Sequence, residues 1–148
     1  MARVLVTGMS GAGKSTLLEA LRHRGHHTVD TDLDGWESSP GQWDEPRMAG
    51  LLATEHDVVV SGTVENQGLF YDRFEHVVLL TAPLDVLLAR VATRTTNPYG
   101  RTPADRAEIR EYVRTVEPLL RQGATLVLDG RQPVGELADI VGAMLTEH

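Results

Sequence analysis

The chain has 148 residues, a formal net charge of −7, no cysteine, and 13 arginines against a single lysine, Lys14. That length suffices to bury a hydrophobic core without a disulfide or metal staple, and the absence of cysteine excludes a disulfide framework, a zinc–thiolate site and a cysteine nucleophile. The negative charge argues against nucleic acid or an anionic membrane as partner, no apolar run reaches the roughly 18 residues of a membrane span, and the opening MARVLVTG is too short for a signal peptide, so the expectation is a cytoplasmic protein.

In chain order, Val4–Val6 reads as a strand buried on both faces, because the run is β-branched and does not alternate. Residues 8–15 follow as GMSGAGKS, the pattern G-x-x-x-x-G-K-S. Gly8, Gly11 and Gly13 let the backbone curl with its N–H groups inward, and those donors, with the start of the next helix, suit a polyphosphate. The pattern puts Ser10 and Ala12 in the cradle and Lys14 within reach of the β- and γ-phosphates. Ser15 becomes a Mg²⁺ ligand, with Thr16 behind it. The rival reading is a glycine-rich turn without a ligand, yet the only lysine of the chain stands where the motif requires one.

A helix is predicted over Lys14–Arg24, burying Leu17, Leu18 and Leu21 and stopping at Gly25. A weaker strand, His26–Asp30, ends in Val29-Asp30-Thr31-Asp32. Carboxylates at the carboxyl end of a parallel strand face the ligand. One can hold water on Mg²⁺; the other can accept a proton from an attacking hydroxyl. Asp34 is a third candidate, and a solvated acidic turn is the alternative. Thr31–Glu45 lacks periodicity and holds both tryptophans. Trp36 is a candidate for stacking on an acceptor ring, although core packing is the commoner fate of tryptophan.

Pro46–Glu55 is the next predicted helix, with Met48, Leu51 and Leu52. The strand Val58–Val60 leads into Ser61-Gly62-Thr63-Val64-Glu65-Asn66-Gln67. There Gly62 is small, and Thr63, Asn66 and Gln67 are candidates for binding a polar acceptor; a simple loop is the alternative. After the strand Val77–Leu80, a helix over Pro83–Arg94 opens on proline and buries Val86, Leu87 and Val91. Arg90 and Arg94 share one of its faces. Thr95–Thr102 is irregular. Pro103–Gln122 reads as one longer helix kinked at Pro118, then Leu126–Leu128 as a strand and Val134–Leu145 as the last helix. Strands alternating with helices predict an α/β fold: a parallel sheet with helices on both faces, a three-layer sandwich in one domain over residues 1–148.

With this loop, the D-x-D at Asp30 and Asp32 and this element order, the sequence resembles the P-loop kinases of the nucleoside monophosphate kinase and shikimate kinase group. The resemblance implies a P-loop NTPase fold with a five-stranded sheet of order 2-3-1-4-5, and ATP, Mg²⁺ and a small polar acceptor as ligands. It implies that Asp30 assists Ser15 at the metal and that Asp32 contacts the acceptor. Residues 31–55 become the acceptor segment, with Arg47 on an anionic group. Residues 95–102 become a short lid that excludes water. Arg94 and Arg101, with Arg106 behind them, stabilise the transferred phosphoryl. The turn containing Arg131 and Pro133 packs against adenine.

The chain also departs from that group. Shikimate kinases place an arginine two residues before the proline of R-x-P-L-Y; here the stretch is Val116-Glu117-Pro118-Leu119-Leu120. Adenylate kinases place an arginine soon after the third strand; here none follows until Arg73. A phosphate acceptor needs no general base, whereas a hydroxyl does. The Asp30/Asp32 pair therefore points to a hydroxyl acceptor not clearly shikimate. A nucleoside monophosphate kinase is the alternative, and a nucleotide-binding NTPase regulator or a polynucleotide end kinase is less favoured. Neither nucleic acid nor membrane is expected as a partner, and monomer and homodimer both stay open.

Overall fold

A computed structural model describes residues 2–94 and 98–146. The strands are β1 (Arg3–Thr7), β2 (Thr28–Asp30), β3 (Glu37–Ser39), β4 (Gln42–Trp43), β5 (Val58–Ser61), β6 (His76–Thr81) and β7 (Leu126–Asp129). The helices are α1 (Lys14–His23), α2 (Glu45–Thr54), α3 (Leu84–Thr93), α4 (Pro103–Thr115), α5 (Glu117–Gly123) and α6 (Val134–Leu145), with a 3₁₀ helix over Gln67–Arg73.

Five strands form one parallel sheet in the order β2-β5-β1-β6-β7. The antiparallel hairpin β3–β4 stands apart from it. Counted among themselves, the five sheet strands run 2-3-1-4-5, the order the resemblance implied. The hairpin shifts the chain numbering and was not foreseen. Its strands are three and two residues long, too short to show a period.

The sheet is apolar on both faces, as non-alternating strands require. Val4, Val6 and Val59 join Leu17, Leu21 and Val141, from α1 and α6, in one core. Leu5, Val58 and Val60 join Met48, Leu52, Phe70 and Trp43 in the other. Each such aliphatic side chain contributes about 1.5–3 kcal/mol by burial. A third, small cluster of Leu88, Val91 and Ile109 ties α3 to α4.

One predicted element differs. The long helix is broken at Val116 rather than kinked at Pro118. Pro118 lies in the first turn of α5, where its missing N–H leaves no intrahelical bond unmade. Among the described residues, no helix is long and apolar enough to cross a membrane.

Candidate functional site

The carboxyl ends of β1, β2 and β5 lie side by side, with Val6 level with Ser61 and Asp30 level with Ser61. The motif loop leaves β1 at this edge. Gly13 takes φ 106° just before α1, a left-handed conformation that favours glycine. Lys14 donates from Nζ to the carbonyl oxygens of Gly8 and, at 3.3 Å, Met9. Burial lowers its pKa to about 8 against the opposing pull of Asp32 and Asp30. Gly11 and Ala12 supply carbonyls to a neighbour described below, and Thr16 is exposed on the first turn of α1.

Ser15 and Asp30 meet, with Ser15 Oγ donating to Asp30 Oδ2 at 3.4 Å. Asp30 Oδ1 accepts the backbone N–H of Asp32 at 3.0 Å, which orients the D-x-D turn. Thr31, between them, points inward and donates to the Ser61 carbonyl at 2.7 Å. Asp32 is an exposed residue whose carboxylate still loses water at the cleft. That desolvation and the Asp30 charge push its pKa up, with Lys14 opposing. Hydroxyl and carboxylate oxygens are hard donors that fit Mg²⁺. Among the described residues no cluster of three or more His, Cys, Asp or Glu is placed to hold a metal ion. Such a site suits an ion that keeps several waters and substrate phosphates as its remaining ligands.

After β5, the predicted acceptor residues take up bonds within the chain. Thr63 Oγ1 accepts the Gly8 N–H at 3.1 Å and donates to the Gly8 carbonyl at 2.6 Å, latching the entry of the loop. Buried Gln67 donates to Thr7 Oγ1 at 3.1 Å and to the Tyr71 hydroxyl at 2.8 Å, and accepts the Val64 N–H at 2.9 Å. Asn66 pairs with both backbone groups of Trp43, at 2.9 and 3.0 Å, and so moors the hairpin. A Cβ on Gly62 would lie 2.2 Å from Thr31 Oγ1, so the position admits only glycine for packing reasons.

The tryptophans divide. Trp43 is buried in the core, 5.9 Å from Phe70 between ring centroids. Trp36 is partly buried, and the Arg47 guanidinium lies 3.9 Å over its ring. Arg47 also donates to the Asp34 carbonyl at 2.6 Å. Asp34 itself holds a left-handed φ of 60°. Asp34, Trp36 and Arg47 thus form a unit of their own beside the cleft.

Arg94 reaches the loop, donating to Ser10 Oγ at 3.1 Å and to the Tyr99 carbonyl at 3.0 Å. Arg101 donates to the Arg94 carbonyl. Of the expected lid, residues 95–97 lie outside the described residues. Residues 98–102 are anchored: Tyr99 packs against the α3–α4 cluster and donates to Glu108 at 2.6 Å. Gly100, at φ 101°, rests on Val91 so closely that a Cβ would lie 2.3 Å from its Cγ2. Arg106 begins the second turn of α4.

Arg131 holds Asp129 in a paired ion contact at 2.8 Å, which pulls the Asp129 carboxyl down to about 2. Pro133 sets the start of α6. Arg90, which the sequence placed on one face with Arg94 but gave no role, clasps the motif loop. Its Nη1 donates to the carbonyls of Gly11 and Ala12 at 3.2 and 3.3 Å, and its Nη2 to Gly130 at 2.8 Å. Its four-residue spacing from Arg94 was the available signal; its partners are 78 or more and 40 residues away in sequence.

A cleft of about 700 Å³ opens beside this edge. Gly8, Ser10, Lys14, Asp32, Thr63 and Gln67 line it together with residues of α4 and α5. Asp34, Trp36, Arg47, Gly62 and Asn66 are not among its lining residues.

A family model for an AAA domain matches residues 4–111. A nucleotide-binding protein of Koribacter versatilis is 30% identical over 146 aligned positions, covering 85% of this chain and 43% of that protein. The chain spans less than half the length of the curated relatives it matches. Among solved structures, a shikimate kinase from Acinetobacter baumannii in complex with shikimate aligns with a TM-score of 0.73 at 19% identity, covering 98% of this chain and 93% of that one. A gluconokinase from Sinorhizobium meliloti aligns with a TM-score of 0.61 at 22% identity, covering 97% and 90%. At these identities the likeness is one of fold: this chain has the P-loop fold found in small-molecule kinases.

Proposed function

The chain belongs to the AAA-domain family, and from that membership and the geometry of its loop we propose an ATP-dependent phosphotransferase that acts on a hydroxyl of a small polar acceptor. The observation that carries this reading is that Lys14 and Asp32 line one cleft, with the Ser15–Asp30 pair joined to Asp32 through its backbone N–H. Residues 8–16 cradle the phosphates of ATP, and Lys14 turns from the Gly8 and Met9 carbonyls to the β- and γ-phosphates. Ser15 and Asp30 would hold Mg²⁺, which when bound neutralises phosphate charge. Asp32 takes the proton of the acceptor hydroxyl. The acceptor oxygen then bonds to the γ-phosphorus, the bond to the β–γ bridging oxygen breaks, and ADP leaves. Arg94 and Arg101 stabilise charge on the moving phosphoryl, and residues 95–102 act as the lid. Residues 31–55 and the loop from Gly62 to Gln67 frame the acceptor side, and Arg131 and Pro133 the adenine side. We read residues 1–148 as one catalytic domain.

The test is ADP release from Mg²⁺-ATP with a panel of hydroxyl compounds. Acceptor-dependent release is expected, and Lys14→Ala is expected to lower it at least a hundredfold with an unchanged far-UV circular dichroism spectrum. Full turnover by that variant would refute the role of Lys14. A second reading is nucleotide binding without transfer, which the description of the Koribacter relative as a nucleotide-binding protein favours. Acceptor-independent hydrolysis, or tight ATP binding with no turnover, would decide for it.

A further inference from the structure

The charge of the cleft narrows the acceptor, an inference that rests on the phosphotransferase reading above. Among the described residues that line the cleft, Lys14 is the one cation, against three carboxylates, Asp32, Glu65 and Glu108. Lys14 belongs to the phosphates once a nucleotide is bound. Glu65 accepts from the Gln42 amide at 2.6 Å and Glu108 from the Tyr99 hydroxyl at 2.6 Å. Among the described residues, neither has an arginine or lysine as ion-pair partner. Both are exposed residues, and their negative charge biases what enters the cleft.

The arginines that would receive an anionic acceptor are committed elsewhere. Arg47 covers Trp36 and holds the Asp34 carbonyl. Arg73 lies against the Phe70 ring at 5.7 Å. Val116, Leu119 and Leu120, with Tyr71, Tyr99 and Tyr112, also line the cleft. Leu119 and Tyr112 are strongly exposed for apolar and aromatic groups, at 62% and 44%. Arg94, which is within electrostatic reach of Asp32 and Lys14, serves the phosphoryl in the reading above, so among the described lining residues an anionic acceptor would leave water to meet carboxylates and apolar side chains.

We propose that the acceptor carries no carboxylate or phosphate. It is an uncharged or amine-bearing hydroxyl compound with a ring or other apolar face. That face lies on the tyrosines and the α5 aliphatic wall, and its remaining hydroxyls or ammonium donate to Glu65 and Glu108. The transfer step is the one given above, with the hydroxyl proton passing to Asp32.

The test is kcat/KM for ADP release with acceptors matched in pairs: glucose and glucosamine against gluconate and glucose 6-phosphate, and adenosine against AMP. The uncharged or amino member is expected to exceed its anionic partner at least tenfold. The double variant Glu65→Gln, Glu108→Gln is expected to shrink that ratio. Val116→Arg, which adds a guanidinium to the cleft lining, is expected to raise the anionic member several-fold and leave the uncharged one little changed. A wild-type preference for an anionic member overturns the inference while leaving the phosphotransferase reading standing. If ATP binds and no compound accepts phosphate in any of the three proteins, the phosphotransferase reading itself fails, and this inference with it.

Discussion

At the residue scale, Lys14 and Asp32 hold opposite departures from their ordinary acidities, and each has a pH signature. Burial lowers Lys14 to about 8, so the free protein loses its phosphate-binding charge as pH rises through that value. ATP affinity is expected to fall about tenfold for each pH unit above it, measured by titration calorimetry between pH 7 and 9.5. The stability of the unliganded protein moves the other way. Between about pH 8 and 10.5 the unfolded chain binds the Lys14 proton and the folded chain does not, so this group's contribution to stability rises with pH. Comparison with Lys14→Met isolates it. Asp32 is raised, first by desolvation and then by Asp30. As the proposed base it must be ionised, so kcat/KM is expected to rise with pH along an acid limb centred above the usual carboxylate value of about 4. Asp32→Asn is expected to remove that limb and to cut kcat by about 10²–10⁴, with ATP affinity nearly unchanged. Loss of ATP binding alone would refute the base.

At the element scale, side chains from other elements hold the backbone of the motif loop. Thr63, just past β5, clamps the Gly8 backbone in both directions. Arg90, on α3, joins the carbonyls of Gly11 and Ala12 to that of Gly130 after β7. Arg90→Ala leaves those partly buried carbonyls without their donor, at a cost of about 1–3 kcal/mol. A lower melting temperature and a severalfold higher KM for ATP are expected, the second being the sign that the loop itself has loosened. An unchanged KM would limit Arg90 to general stability. The hairpin is the other element-scale finding. Asn66 pins β4 through both backbone groups of Trp43, and Asp44 caps α2 by accepting the Arg47 N–H at 3.1 Å. The segment without sequence periodicity is therefore ordered by side-chain bonds and by one buried tryptophan. Neither leaves a repeating pattern along the chain.

At the scale of the whole molecule, two cores on opposite faces of one sheet fix the edge where the loop, the D-x-D turn and the β5 loop converge. A ligand bound at that edge touches several elements at once and stabilises the folded state by mass action. Mg²⁺-ATP at a hundredfold its dissociation constant is expected to add about 2.7 kcal/mol, read as a rise of several degrees in melting temperature. Lys14→Ala is expected to lose most of that rise. No shift with Mg²⁺-ATP in the wild-type chain would argue against the nucleotide site.

The local features are legible along the chain. The β-branched runs, the leucine spacing of α1 and the glycines of the loop act over a few residues and read directly as strand, helix and phosphate cradle. The single lysine marked the loop for the same reason, since a slender ammonium serves there where a planar guanidinium does not. Which polar side chains face the cleft and which are used up inside the protein follows from how the elements pack. Asn66, Arg47 and Arg90 are alike in composition terms, yet one moors a hairpin, one covers an indole and one clasps the motif loop. Such contacts join residues 11 to 79 positions apart. Packing the sheet brings them together, and no spacing along the chain encodes that distance.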